Sequence, residues 1–457
     1  MLRVSLSVGT RGLIAKAVSA RALRARALSL AWRPVALVGM ALLLAASGTG
    51  IGLQASQQAE AGPGPAGSGA AGQVDAGAAR VTITPRDGAE KVRPDLGVVV
   101  KVANGRLDGV VVSSKQESAV PGALSRDLLS WRTRWTLVPG RSYVVRATAT
   151  GRNGNTETTV SRFTTLQPSQ TIAISDVTPS AGEAVGIGMP IIVSFDREVR
   201  NKDLVERSLQ VQSARSVQGA WRWVGDQQVI FRTRRYWQPH QQITFVAHLA
   251  GVRAAKDVYG TQDYTLRFRI GEANVSRVDT KSHRMIVTRD GKRVRNVGIS
   301  AGRGGSWMFT TTNGIHAVMR KANPVVMTSA WMGVTDPKDP RYYKLTVFDA
   351  VQISNSGEYV HSAPWSVWAQ GSVNVSHGCV NASPEFAAWF YGISQRGDIV
   401  TVTGTDRELE WNNGYGYWQA PWKQWVQGSA LGRAVMTTST QARSTATRSP
   451  GHMRAPS

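Results

Sequence analysis

One cysteine, Cys379, serves the whole 457-residue chain. It can form no intramolecular disulfide, and it cannot by itself build a thiolate metal site. A free cysteine is ordinarily a small buried hydrophobe, so any chemistry at Cys379 must be argued from its neighbours. Acid is missing from both ends. Residues 1–34 carry seven basic residues and no acid, and the stretch from Gly428 onward carries four, again with no acid. Eleven of the 24 net positive charges therefore fall in these ends, which leaves a moderate basic surface suited to a polyanion. No RNP-like, KH-like or finger-like pattern is present, which argues against a nucleic-acid partner. No HExxH-like spacing appears, which argues against a metal hydrolase. Long helical runs are scarce, and a chain of this length exceeds one compact core, so several β-rich modules are expected.

The N-terminal pattern is that of an export signal. A basic stretch ending at Arg33 precedes the apolar, uncharged run Val35 to Ala46. Ala59-Glu60-Ala61 offers a small-x-small cleavage pattern. Left uncleaved, Val35 to Leu53 is 19 residues, enough to span a bilayer with the N-terminus inside and the bulk of the chain outside. No cysteine follows the apolar run, so a lipid-anchored lipoprotein is excluded. Residues 1–53 are thus expected to be a signal peptide or signal anchor, and 54–79, dominated by Ala, Gly and Gln, a linker. The chain is expected to work outside the cytoplasm.

From Arg80 the pattern becomes short alternating runs punctuated by Gly, Pro, Asn and Asp. Val81 to Thr84, Gly97 to Val102 and Ser142 to Ala147 read as strands, and Arg152-Asn153-Gly154-Asn155 as a hairpin turn. Residues 80–167 are expected to form one immunoglobulin-like sandwich and 168–272 a second, both acting as spacers. The region 273–405 is mostly β, with one helix beginning at Ser383-Pro384-Glu385, where Ser383 suits the N-cap and Pro384 the first turn. Residues 406–427 hold Trp411, Trp418, Trp422 and Trp425 and are expected to pack back on that region, with a carbohydrate platform as the alternative. Residues 428–457 read as a disordered tail.

Ser376-His377-Gly378-Cys379-Val380-Asn381 is the most informative string. A thiol attacks only as thiolate, so its pKa near 8.5 must fall or a base must take its proton. Gly378 allows a turn that a side chain would forbid, and backbone amides around Gly378 and Cys379 can face a developing oxyanion. Asn381 supplies an amide for a substrate carbonyl or amine. Upstream lies His361-Ser362-Ala363-Pro364-Trp365, and fourteen residues, 362–375, separate His361 from Ser376.

These two strings at this spacing resemble the L,D-transpeptidase family, with its YkuD-type catalytic domain, in the form that carries immunoglobulin-like domains in actinobacteria and mycobacteria. The fold the resemblance implies is mainly β: two immunoglobulin-like sandwiches, a YkuD-type β-sandwich with one short helix, and the Trp-rich C-terminal extension. The function it implies is peptidoglycan cross-linking. Cys379 would attack the carbonyl of the third stem residue and expel D-Ala, and the side-chain amine of another stem would then attack the thioester to give a 3→3 link. His361 would be the base, oriented by Ser362, while His377 and Gly378 belong to the catalytic loop, His377 mainly to structure it. Tyr343, Ser356, Gly357 and Asn381 would contact the stem peptide, and 324–342 would form a lid. No cofactor is called for, and carbapenems are expected to acylate Cys379.

The implied partners are stem peptides as tetrapeptide donor and diamino-acid acceptor, with anionic wall polymers and, if the N-terminal segment stays, the membrane. Trp368 is bulky where the resemblance implies a small residue, and would narrow the pocket entrance. The alternatives are an L,D-carboxypeptidase, which passes the same acyl group to water, and a silent wall-binding module. Intact His361, Gly378, Cys379 and Asn381 argue against the latter. A serine enzyme of this kind would need a convincing Ser-x-x-Lys arrangement, and none appears.

Overall fold

The computed structural model describes residues 77–440. The export segment, most of the linker and the chain beyond 440 lie outside the described residues. Among the described residues no helix is long and apolar enough to cross a membrane.

Alternation of apolar and polar residues sets the first sandwich. In Ser142–Gly151 the buried positions fall on every second residue, as a strand half-covered by a core requires. It pairs antiparallel with Thr156–Thr165 across the turn read from the sequence, where Gly154 takes φ +83. The sheet ordered Ala89–Val92, Thr156–Thr165, Ser142–Gly151, Gly105–Ser114 accompanies a second sheet of Arg80–Thr84, Val99–Ala103, Ser130–Thr133 and Gly122–Leu124. Val100, Leu107, Trp131, Tyr143 and Phe163 belong to their shared core.

The second sandwich has two five-stranded sheets, and each takes its last edge strand from the far C-terminus. Val435–Met436 pairs with Gln218–Val224, and Thr438–Ser439 pairs with Leu209–Ser213. The expectation of a disordered tail from 428 therefore does not hold for 428–440. Composition hid this because the segment is small and polar; its order comes from backbone pairing and from Glu206, which accepts from Ser429 Oγ at 2.5 Å and from Ala430 N at 2.7 Å.

The Trp-rich extension also differs from expectation. It packs largely on the second sandwich, because two arginines there present guanidinium faces to its rings. Arg222 lies 4.5 Å from the Trp411 ring centre, and Arg232 lies 5.0 Å from Trp418 and 4.9 Å from Trp425. Indole N–H groups complete the seam, Trp425 donating to Ala220 O at 3.0 Å and Trp418 to Gly188 O at 2.9 Å. With Trp425 buried and the other three rings half-buried, each against an arginine, they do not form an open carbohydrate platform. The extension still reaches the third region, where Gln419 Oε1 accepts from Ile315 N at 2.8 Å.

In the third region a five-stranded sheet (Lys292–Gly298, Arg284–Arg289, Asn274–Asp279, Ile399–Thr403, Gly314–Ala317) accompanies a four-stranded one (Arg320–Ala322, Ala350–Gln352, Tyr359–Ser362, Val380–Ala382). The helix Pro384–Ile393 begins as read, with Ser383 Oγ accepting from Phe386 N at 3.3 Å. Its Phe386 and Phe390 join Val360 and Val380 in the core.

The third region and the second sandwich approach backbone to backbone. Gly186 N donates to Arg396 O at 2.7 Å and Gly188 N to Gly397 O at 2.9 Å. A Cβ on Gly186 would lie 2.3 Å from Asp398 N and Oδ1, so only glycine fits. Asp398 is buried beside this contact. Its Oδ2 accepts from Gln395 N at 2.8 Å and Asn274 Nδ2 at 3.2 Å, while Oδ1 has no partner among the described residues. Burial pushes its carboxyl up to about 7 from 3.8, against these hydrogen bonds. The fold then holds a proton that the unfolded chain releases across that interval, so stability falls as pH rises through it and levels off above. Asp398→Asn should remove this slope. We expect the melting-temperature difference between variant and parent to move in favour of the variant from pH 5 to pH 8 in calorimetry; the same difference at both pH values would refute the assignment.

Candidate active site

The site is built on one parallel strand pair. Tyr359–Ser362 and Val380–Ala382 run side by side with Val360 opposite Val380, His361 opposite Asn381 and Ser362 opposite Ala382. Cys379 precedes the second strand by one residue and so falls level with Tyr359. Side chains two apart share a face, so this register sends His361, Cys379 and Asn381 into one cavity of about 470 Å³. Tyr343, Ser356, Gly357, Ser376, His377 and Gly378 line the same cavity. Of the expected site residues, Ser362 alone stands behind the wall, and it acts through its backbone.

That backbone contact fixes a tautomer. His361 Nδ1 lies 2.9 Å from Ser362 O. A carbonyl only accepts, so Nδ1 carries the proton and Nε2 keeps its lone pair. The orienting group is thus the main-chain carbonyl of Ser362.

The Cys379 loop is tied down from within. Ser376 Oγ donates to Cys379 O at 2.5 Å and accepts from Gly378 N at 3.1 Å. Gly378 adopts φ +120, a region closed to ordinary side chains, and its carbonyl accepts from Thr311 Oγ1 at 2.8 Å. The Gly378 amide expected to face an oxyanion is therefore engaged with Ser376 here.

His377 is engaged as well. Its ring stacks on Tyr343 at 4.8 Å, meets Phe309 edge-on at 5.1 Å, and its Nε2 accepts from Arg303 Nη1 at 3.4 Å. Burial and the Arg303 charge hold its pKa below the usual value. A ring so held on two sides helps to structure the loop. Asn381 donates from Nδ2 to Ser366 Oγ at 3.0 Å, so its amide also fastens the turn after His361.

Val325–Thr328, at the start of the expected lid 324–342, pairs with Lys344–Val347 just beyond it, and Met327 Sδ comes within 4.0 Å of Cys379 Sγ. Trp368, expected to narrow the entrance, is not among the residues that line the cavity, and it is 73% exposed.

A buried carboxylate that the sequence reading missed holds the opposite wall. Glu358 is 3% exposed, and its oxygens accept from Thr312 N at 2.6 Å, Thr312 Oγ1 at 2.7 Å and Ser356 Oγ at 3.3 Å. Asn413 of the extension clasps the same corner, donating to Ser356 Oγ and accepting from Ser356 N, each at 3.0 Å. The available signal was a lone acid between Gly357 and the apolar Tyr359-Val360. Gly357 O, held at this corner, lies 3.6 Å from Cys379 Sγ and accepts from the thiol.

Burial governs the protonation of the pair. Cys379 is half-covered as a residue, but its sulfur sits at the cavity floor, and burial pushes the thiol up to about 12. The Tyr359 N–H works against this, and the Glu358 charge adds to it. Burial likewise lowers His361, opposed by the Ser362 carbonyl. The resting pair is therefore a neutral thiol and a neutral imidazole, and the proton must move as substrate is attacked. With no other cysteine in the chain, alkylation reads this group directly. We expect iodoacetamide to react with the free protein at pH 7.5 at least about tenfold more slowly than with a free thiol, the rate still climbing above about pH 10. A plateau already reached by about pH 8 would contradict a neutral pair.

Known proteins are similar to this chain in sequence. The bacterial Ig domain family matches residues 89–253, across both sandwiches, and the L,D-transpeptidase catalytic domain family matches residues 273–402. L,D-transpeptidase 2 of Mycobacterium tuberculosis (strain CDC 1551 / Oshkosh) is 34% identical over 352 residues, which is 77% of this chain and 85% of that protein. L,D-transpeptidase 5 of Mycobacterium tuberculosis (strain ATCC 25618 / H37Rv) is 33% identical over 359 residues, 78% of each. A solved LD transpeptidase in complex with imipenem is 33% identical over 52% of this chain and all of that one, with a TM-score of 0.44.

Proposed function

The chain belongs to the L,D-transpeptidase family, and from this premise we propose that it cross-links peptidoglycan stem peptides outside the cytoplasm through a thioester on Cys379. The observation that carries the proposal is the meeting, in one cavity, of the chain's only cysteine and of a histidine whose Nδ1 is committed to Ser362 O.

In the first half-reaction Sγ attacks the carbonyl carbon of the third stem residue. His361 Nε2 takes the thiol proton and passes it to the nitrogen of the departing D-Ala as the C–N bond breaks. In the second half-reaction the side-chain amine of another stem's third residue attacks the thioester. Its proton goes to Nε2, and the C–S bond breaks to return the thiolate, which recovers that proton. The neutral resting pair suits this sequence, since the base is unprotonated before attack.

Ser376 Oγ is also placed to matter. If it releases the Gly378 N–H when the tetrahedral oxyanion forms, that amide becomes a donor, worth about 3 kcal/mol in comparable sites. Tyr343, its ring stacked on His377, and the Ser356-Gly357 turn line the cavity where the stem would lie. The Ser356 hydroxyl is occupied by Asn413 and Glu358, so we assign it to shaping the wall. The N-terminal segment would export the chain and, uncleaved, hold it at the membrane.

Incubation with a disaccharide-tetrapeptide, followed by mass spectrometry of products, tests the reading. Loss of D-Ala with a cross-linked dimer is expected, both absent with Cys379→Ala. Tripeptide alone would make the protein a carboxypeptidase, and no Cys379-dependent product would leave a silent wall-binding module. His361→Gln should lower turnover by at least about a hundredfold, the usual worth of a positioned base. A His361→Gln protein retaining most activity would remove that residue from the mechanism.

A further inference from the structure

We propose that Trp365 and Trp368 form an aromatic shelf at the cavity mouth that stacks a sugar ring of the glycan carrying the stem peptide. The inference rests on the proposed function and deepens it, because the protein would then read disaccharide as well as peptide.

The shelf is a short 3₁₀ segment, Pro364–Ala369, whose Ser366 and Ala369 are buried and whose Trp365, Val367 and Trp368 face outward. It is rigidly mounted. Asn381, two residues from the nucleophile, donates to Ser366 Oγ at 3.0 Å, and Gln370 N donates to Val367 O at 3.2 Å. Trp365 belongs to both cavity and surface: it lines the cavity, its ring lies 6.0 Å from that of His361 at 30°, and it remains 47% exposed. Trp368 follows three residues further along the same segment, past a kink at Ser366. At 73% exposed it covers no core, and Trp365, Val367 and Trp368 are all exposed large apolar side chains on one short segment of which Trp365 lines the cavity.

The substrate supplies an occupant for them. Between the attacked carbonyl and the sugar lie the third stem residue's own backbone and the first two residues, a span of about 10 Å when extended. With the third residue at Cys379, the sugar falls outside the cavity, beyond Trp365, which is the ring of this segment that lines it. A pyranose presents an apolar C–H face inside a rim of hydroxyls, which matches an indole held half in water. A protein partner fits less well, since this patch falls far below the roughly 800 Å² per side of a stable interface.

Binding in a Cys379→Ala background separates this inference from turnover. Isothermal titration would compare a disaccharide-tetrapeptide with the sugar-free tetrapeptide of the same sequence. The disaccharide form should bind about fivefold to tenfold more tightly. Adding Trp368→Ala should erase that preference and leave tetrapeptide affinity in place, while Trp368→Phe should keep most of it. Equal affinity for both ligands in the Cys379→Ala protein would overturn the proposal, as would Trp368→Ala weakening both ligands alike. Failure of the transpeptidase reading shows separately, as absence of product with Cys379 intact, and the binding comparison decides the shelf either way.

Discussion

The site hangs on the parallel register between Tyr359–Ser362 and Val380–Ala382. A slip of one residue would send either His361 or Cys379 to the opposite face. Neither strand is long enough to enforce that register alone. It is enforced from outside the pair: Ser300 and Asn381 exchange both backbone hydrogen bonds, at 3.0 and 2.8 Å, and Ala363 N donates to Ala382 O at 2.9 Å. Val360 and Val380 point the other way into the core, where a slipped strand would bury His361 among apolar side chains instead. The site is thus registered by packing, with cavity-lining and core residues alternating along the same few positions.

Burial then fixes the chemical state that geometry has arranged. A thiol at the floor of a cavity, with the Glu358 carboxylate nearby, has little reason to ionise, and a buried imidazole has little reason to accept a proton early. Glu358 looks like a poor choice beside a nucleophile, yet its oxygens hold Thr312 and Ser356, and so set the wall that carries Gly357 O. A buried acid that is fully hydrogen-bonded is a stiff support. Stiffness is gained at the cost of a higher thiol pKa, which places the burden of activation on His361 and on the approach of substrate.

Much of this was legible before the structure. Two strings at fixed spacing named Cys379 and His361, period-two alternation marked the strands, and Ser383-Pro384 marked the helix start. What escaped were contacts with no local signature. Glu358 and Thr312 are 46 residues apart, and Asn413 and Ser356 are 57 apart. The tail escaped because edge pairing uses backbone groups, which every polar sequence carries. The extension's rings were visible as a group, but their partners, Arg222 and Arg232, lie about 200 residues earlier in ordinary-looking strand. Asn381 and Ser356 were named for substrate; both line the cavity, and their bonds to Ser366 and Asn413 had no local signature.

These long-range contacts make the second sandwich part of the catalytic unit. The extension leaves the third region after Thr403, packs its indoles on Arg222 and Arg232, and sends Asn413 back to the Ser356 corner. The last described residues then complete both sheet edges of the same sandwich. A separate seam joins the two at Gly186, where Arg396 pairs with both carboxylate oxygens of Glu183. Two independent attachments, one of them ending on the wall beside Cys379, hold spacer and site in fixed relation. A free spacer would require neither. The wall of the cavity is therefore shaped by residues contributed from outside the catalytic sheets, and the shape that meets the stem peptide depends on the sandwich staying seated.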